Sequence, residues 1–136
     1  IHHCKGDQCE DGSWDVRELD GQPHLQDAWG SGCDDIFVVG NEGTIWHYDG
    51  QDWVAMTSGT ERHLTGVAGS GPDDVYAVGF AGSILHYDGE QWSPVASPTD
   101  LRLFGVVVQP RPDPKVSKVF FVGDRGTFLG LLRHEK

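Results

Sequence analysis

The chain has 136 residues but only one methionine, three cysteines and ten basic side chains, and it has no long apolar run. Each shortage removes a class of function. Ten Lys and Arg against 21 Asp and Glu give a formal net charge of −11, which repels both a nucleic-acid backbone and an anionic membrane surface. The longest apolar stretches, Val106-Val107-Val108 and Val119-Phe120-Phe121-Val122, are strand-sized. A spanning helix needs about 18 residues, so no membrane span is expected. No Gly-x-Ser-x-Gly nucleophile motif occurs. The six arginines, Arg17, Arg62, Arg102, Arg111, Arg125 and Arg133, are scattered rather than clustered. The chain opens on Ile1 rather than Met, as expected of a processed or excised piece.

What the chain has in quantity is glycine, 19 residues of it, and a repeat. Gly30-Ser31-Gly32-Cys33-Asp34-Asp35-Ile36-Phe37-Val38-Val39-Gly40 returns as Gly69-Ser70-Gly71-Pro72-Asp73-Asp74-Val75-Tyr76-Ala77-Val78-Gly79. The offset is 79 − 40 = 39 residues, and 14 of the 24 aligned pairs from Gly30/Gly69 to Trp53/Trp92 are identical. Short β-like runs split by Gly and Asp, with a period near forty, mark a β-propeller blade. The expected fold is therefore all-β: four-stranded antiparallel blades on a 39-residue repeat, with about three blade equivalents. First strands are expected at 25–30, 64–69 and 103–108, and second strands at 35–40, 74–79 and 119–123. Third strands fall at 44–48, 83–87 and 127–131, and fourth strands at 53–57 and 92–96.

The turns follow from their chemistry. Asp49-Gly50 and Asp88-Gly89 supply the Asp-Gly pair favoured in tight hairpins. Gly-Ser-Gly-x-Asp-Asp joins first to second strand; with two carboxylates and no following helix it is a turn, not a phosphate cradle. Asp34-Asp35 and Asp73-Asp74 offer too few oxygens for calcium, so turn capping is expected of them. Five extra residues in the third repeat lie between Gln109 and Lys118, where Pro110, Pro112 and Pro114 predict an extended surface loop.

This divides the chain into a Cys-containing segment at 1–12, a lone outer strand at 13–24, blades at 25–63 and 64–100, and an incomplete blade at 101–132. An N-terminal strand would close that last blade. Three blade equivalents fall short of the usual range of about four to eight. Either two chains form a six-bladed homodimeric ring, or the chain is part of a longer propeller. Cys4 and Cys9 bracket Lys5-Gly6-Asp7-Gln8, and a local disulfide there suits a secreted, cell-envelope or periplasmic protein. The sharper alternative, a zinc site with His2 and His3, lacks its second half. Cys33 stands where the next repeat has Pro72 and reads as a loop thiol able to compete for either partner.

The Val-Gly-x-x-Gly-x-Ile…Asp-Gly-x-x-Trp pattern resembles the BNR (Asp-box) and photosystem-assembly-factor-like propeller repeats of exported bacterial proteins, over residues 13–132. The Asp-box places Ser or Thr two residues before its Asp and a second Gly after it. Here those positions hold His47 and Gln51, or His86 and Glu90-Gln91, so the resemblance carries fold and repeat type but not sialidase chemistry.

Positions shared by both full repeats serve the scaffold. His47 and His86 are expected in a buried hydrogen-bond network, and Trp14, Trp53 and Trp92 in packing. Positions that differ along one rim are free for a specific task. The turns between second and third strands read Asn41-Glu42, Phe80-Ala81 and Asp124-Arg125, and the links before each first strand end in His24, His63 and Arg102. These nine residues should converge on a channel mouth, where cationic and titratable groups could hold an anionic group. The opposite rim collects Asp34, Asp35, Asp49, Asp52, Asp73, Asp74, Asp88 and Glu90. At the channel mouth a glycosidase pair of carboxylates could be assembled from Glu42 and Asp124, but nothing in their spacing selects them. The expectation is a non-catalytic binding or assembly module with no cofactor or metal, for a protein or carbohydrate ligand. A lectin, or a glycoside hydrolase or lyase, is the alternative.

Overall fold

This computed structural model describes residues 2–3, 15–16, 24–109 and 116–134. Among them the chain is all-β, with no helix longer than a three-residue 3-10 turn. The first large sheet comprises β3 (Leu25–Gly32), β4 (Asp35–Gly40), β5 (Ile45–Tyr48) and β6 (Trp53–Met56). The second comprises β7 (Leu64–Gly71), β8 (Asp74–Gly79), β9 (Ile84–Tyr87) and β10 (Trp92–Pro94). The third comprises β11 (Leu103–Gln109), β12 (Val116–Gly123) and β13 (Phe128–His134). Each sheet is an antiparallel meander in sequence order. These repeated sheets are consistent with the expected propeller.

Register repeats as faithfully as sequence. The β3–β4 ladder slips at Gln26 and again at Ser31, and β7–β8 slips at the equivalent Thr65 and Ser70. The β11–β12 ladder slips at Phe104, the counterpart of Gln26 and Thr65. Such bulges bend a strand and re-aim its side chains. The three first strands, β3, β7 and β11, lie side by side. They are joined by the Val67 N–H donating to the Asp27 carboxylate at 3.0 Å and by Thr65 Oγ1 donating to the Leu103 carbonyl at 2.5 Å. Gly66 permits the approach: a Cβ there would come within 2.9 Å of the Phe104 carbonyl.

Two cores separate the sheets. Between first and second, Phe37, Val39 and Ile45 meet Val75, Ala77, Leu85, Tyr87 and Trp92. Phe37 sits edge-on to Tyr87 at 5.4 Å and to Trp92 at 6.0 Å, an arrangement that aromatic quadrupoles favour. Between second and third, Tyr76, Val78 and Ile84 meet Leu103, Val119 and Phe121. Every residue of β8 is buried, which is why it reads as a continuous apolar run rather than an alternation.

Several boundaries differ from the sequence reading. The ladder between β11 and β12 continues to Gln109↔Lys118, so these ends of the expected proline loop are strand; residues 110–115 lie outside the described residues. Strand β10 stops at Pro94 instead of reaching residue 96, although Val95 still donates to the Ile84 carbonyl at 2.8 Å. From the expected leading strand, Asp15–Val16 (β2) pairs with His2–His3 (β1). The third sheet has three strands. Cys4, Cys9 and Trp14 lie outside the described residues, and Cys33 is not a free thiol.

Candidate functional site

Two constellations repeat from sheet to sheet, one inside and one on a rim. Inside, His86 Nε2 lies 2.8 Å from Asp74 Oδ1, while the other carboxylate oxygen accepts from Ser70 Oγ at 2.5 Å. In the first sheet His47 Nε2 lies 2.6 Å from Asp35 Oδ1, and Ser31 Oγ donates to Asp35 Oδ2. The bulges at Ser31 and Ser70 point these hydroxyls at the strand that follows. Although the residue types are those of a hydrolytic triad, the order is wrong. The carboxylate stands between Ser and His, so neither hydroxyl has a base to activate it. The network satisfies buried polar groups. Asp35 and Asp74 thus turn into this network, toward Ser31 and His47 or Ser70 and His86.

The Asp-Gly turns are closed the same way twice. Asp49 Oδ1 accepts from the Gln51 and Asp52 N–H groups at 2.9 and 2.8 Å, and Asp88 Oδ1 from Glu90 and Gln91 at 2.9 and 3.0 Å. These backbone donors hold both carboxyls below the ordinary aspartate range. Tyr48 and Tyr87 donate to the carbonyls of Gly50 and Gly89, each at 3.0 Å. Burial, with Asp35, Asp88 and Glu90 nearby, pushes the Tyr87 phenol up.

The rim is built from the turns between second and third strands. Asn41–Gly43, Phe80–Gly82 and Asp124–Gly126 are 3-10 turns of the same shape. Their central residues, Glu42, Ala81 and Arg125, have φ of 59°, 57° and 57°. Holding three non-glycine residues in this left-handed region costs about 1 kcal/mol or more each. It aims three different, exposed side chains from one backbone. Each turn is seated by the link before its sheet: Asn41, Phe80 and Asp124 donate to the carbonyls of His24, His63 and Arg102 at 2.9, 3.0 and 2.9 Å.

The structure thereby sets the expected link and turn residues in register and bridges adjacent sheets with their side chains. The Glu42 N–H donates to His63 Nδ1 at 2.9 Å, so that ring nitrogen is engaged as an acceptor. His63 also meets Phe80 edge-on at 5.0 Å. The Arg102 guanidinium lies 5.2 Å from the Phe80 centroid and 4.6 Å from that of Phe104, and pairs with Asp124 through Nε and Nη2 at 3.4 Å each. Asn41 accepts from Gln26 at 2.9 Å. His24 joins the rim through its carbonyl, with its side chain exposed.

Sequence reasoning missed Phe104, a bulge residue 44 % exposed, and missed the partners of the two histidines. The latter had a signal. Ser31, Asp35 and His47 repeat as Ser70, Asp74 and His86, then vanish together as Gln109, Lys118 and Gly130. Among the described residues no group of three or more His, Cys, Asp or Glu is placed to hold a metal ion, and no helix is long and apolar enough to cross a membrane. No protein-family model matches the chain, and no curated protein matches it.

Proposed function

We propose that the chain is a non-catalytic, propeller-type binding and assembly module of the BNR-like repeat kind, working outside the cytoplasm. The ladder His63–Phe80–Arg102–Phe104 along the rim carries this reading. An arginine lying over two phenylalanine rings and paired with Asp124 is pre-organised for contact, and Arg and aromatic residues dominate binding hot spots. Since Arg102 is already ion-paired and His63 Nδ1 is taken by the Glu42 N–H, the rim favours an uncharged or mixed ligand over a bare anion. A peptide segment of a protein partner is the ligand proposed. A carbohydrate stacking on Phe104 is the second reading, favoured by that ring's exposure. Three cysteines in a small, turn-rich domain support export.

The experiment is a peptide array and a glycan array probed with the wild type and with Arg102→Ala/Phe104→Ala. The expected result is a small set of wild-type hits, lost at least tenfold by the variant. Hits that the variant keeps, or silence of the wild type on both arrays, would sink the rim as a binding site.

Self-association is part of the same proposal. A six-bladed ring of two chains needs a free leading face on the first sheet, but Val38 and Tyr48 on that face are already buried. Association is therefore assigned to the third sheet.

A further inference from the structure

The third sheet has two apolar faces, and one of them is covered. Val119, Phe121 and Leu129 turn toward the second sheet. On the other side, cross-strand register aligns Gly105, Val122 and Phe128 in one row, and Val107, Phe120 and Gly130 in the next. Phe128 is 65 % exposed, Val107 59 % and Val122 47 %, and the rings of Phe120 and Phe128 stack at 5.6 Å. Of the five large apolar side chains exposed among the described residues, four belong to this sheet, so the exposure is concentrated here. The equivalent positions in the other sheets, Phe37, Val39 and Ile45, then Tyr76, Val78 and Ile84, are buried beneath the sheet that follows. The fold itself thus shows that this face accepts another sheet.

We propose that its occupant is a second copy of the chain, presenting the same face about a twofold axis; this rests on reading the chain as an assembly module. Three observations select that occupant. First, the Ser-Asp-His trio that lines the internal interfaces is replaced by Gln109, Lys118 and Gly130, so the face is not prepared for the internal kind of contact. Second, a head-to-tail copy would have to seat on the leading face of the first sheet, where Val38 is 2 % and Tyr48 5 % exposed within one chain. A twofold contact needs one free face, and the third sheet provides it. Third, in a chain of net charge −11 the rows named above hold no carboxylate, so two copies approach there without acid facing acid. Lys118, exposed at the edge, can keep its ammonium in water.

The size sets the strength. Three strands ~4.8 Å apart and ~20 Å long cover roughly 300 Å² per copy, which places the contact in the weak, transient class. The dimer should therefore be reversible and form only toward high micromolar concentrations.

Sedimentation velocity of the whole chain from about 1 to about 500 µM tests this. The wild type should shift with concentration from 14.9 kDa to twice that mass. Val107→Lys/Phe128→Lys should stay monomeric while keeping its far-ultraviolet dichroism and melting point, and the milder Val122→Thr should weaken the dimer several-fold. A labelled Val107→Lys/Phe128→Lys chain mixed with wild type should form no mixed dimer, because the variant lacks the face that a twofold contact needs from both copies. A wild type monomeric at every concentration overturns the proposal and leaves the face to a sheet of another chain segment. A mixed dimer also overturns it, in favour of head-to-tail docking. His63→Ala/Arg102→Ala separates the two claims, since it should lose rim binding while dimerising as the wild type does.

Discussion

Removing the Asp74 carboxylate should cost far more than removing its repeat counterpart Asp35, although the two sit in the same motif. Asp74 is 2 % exposed and serves two donors, His86 Nε2 at 2.8 Å and Ser70 Oγ at 2.5 Å. In Asp74→Ala both donors lose their acceptor where water cannot replace it. Each unsatisfied buried group costs about 1–3 kcal/mol, and breaking a buried pair about 3–5 kcal/mol in all. At Asp35 the side chains of the pair are 20 % and 16 % exposed, so water can take over and the expected loss is about 1–2 kcal/mol. Urea unfolding followed by tryptophan fluorescence gives both values, since Trp29, Trp46, Trp53 and Trp92 lie in the sheets. For a domain of this size the melting point should fall by roughly 10 °C or more for Asp74→Ala and by about 3–7 °C for Asp35→Ala. A cycle with His86→Ala should return a coupling of ~1–3 kcal/mol. Equal losses at the two aspartates, or no coupling to His86, would refute the claim that burial sets the strength of this network.

Trp92, 8 % exposed and edge-on to Phe37, should cost about 3–5 kcal/mol when truncated to Ala, and the half-buried Trp53 clearly less, by the same unfolding assay. Asp49 and Asp88 have carboxyls lowered in the folded state, so the stability they add is present above the unfolded value of 3.8 and is lost as pH falls through their folded values. Asp49→Asn/Asp88→Asn should flatten the loss of stability on acidification below about pH 4, and an unchanged acid limb in pH-dependent urea curves would rule these turns out as its source. Thiol titration of the unfolded, unreduced protein should find one free thiol among the three cysteines, as a single bridge of any pairing requires; three would exclude a disulfide.

What could be read in advance was what repeats locally. The strands of both full repeats, the Asp-Gly turns and the repeated histidines, of which His86 is buried and His47 partly exposed, lie in patterns that sequence periodicity exposes directly. The histidines' partners were harder to see. Asp35 and Asp74 stand beside turn residues, and only the one-residue bulges at Ser31 and Ser70 bring hydroxyl, carboxylate and imidazole into line. A bulge is a backbone event with no side-chain signature of its own. The rim was legible as a set of variable positions, but not as a ladder. His63 reaching the Glu42 amide and Arg102 reaching Phe80 are contacts between sheets, 21 and 22 residues apart in sequence, and no local pattern encodes them. The extension of β12 back to Val116 was hidden by the prolines before it, although Val116-Ser117-Lys118 continues the ladder with β13 at Val116↔His134, Ser117↔Arg133 and Lys118↔Leu132.

The most direct test of the rim as the working face is chemical-shift mapping on the amide spectrum. The tightest peptide or oligosaccharide from the arrays would be titrated into isotopically labelled protein. The account predicts that the perturbed amides cluster at Glu42, Ala81, Phe104 and Arg125, on the three left-handed turns and the adjoining bulge. Perturbations centred instead on Asp49, Asp88 and Glu90 would place binding on the opposite, acidic rim and contradict it.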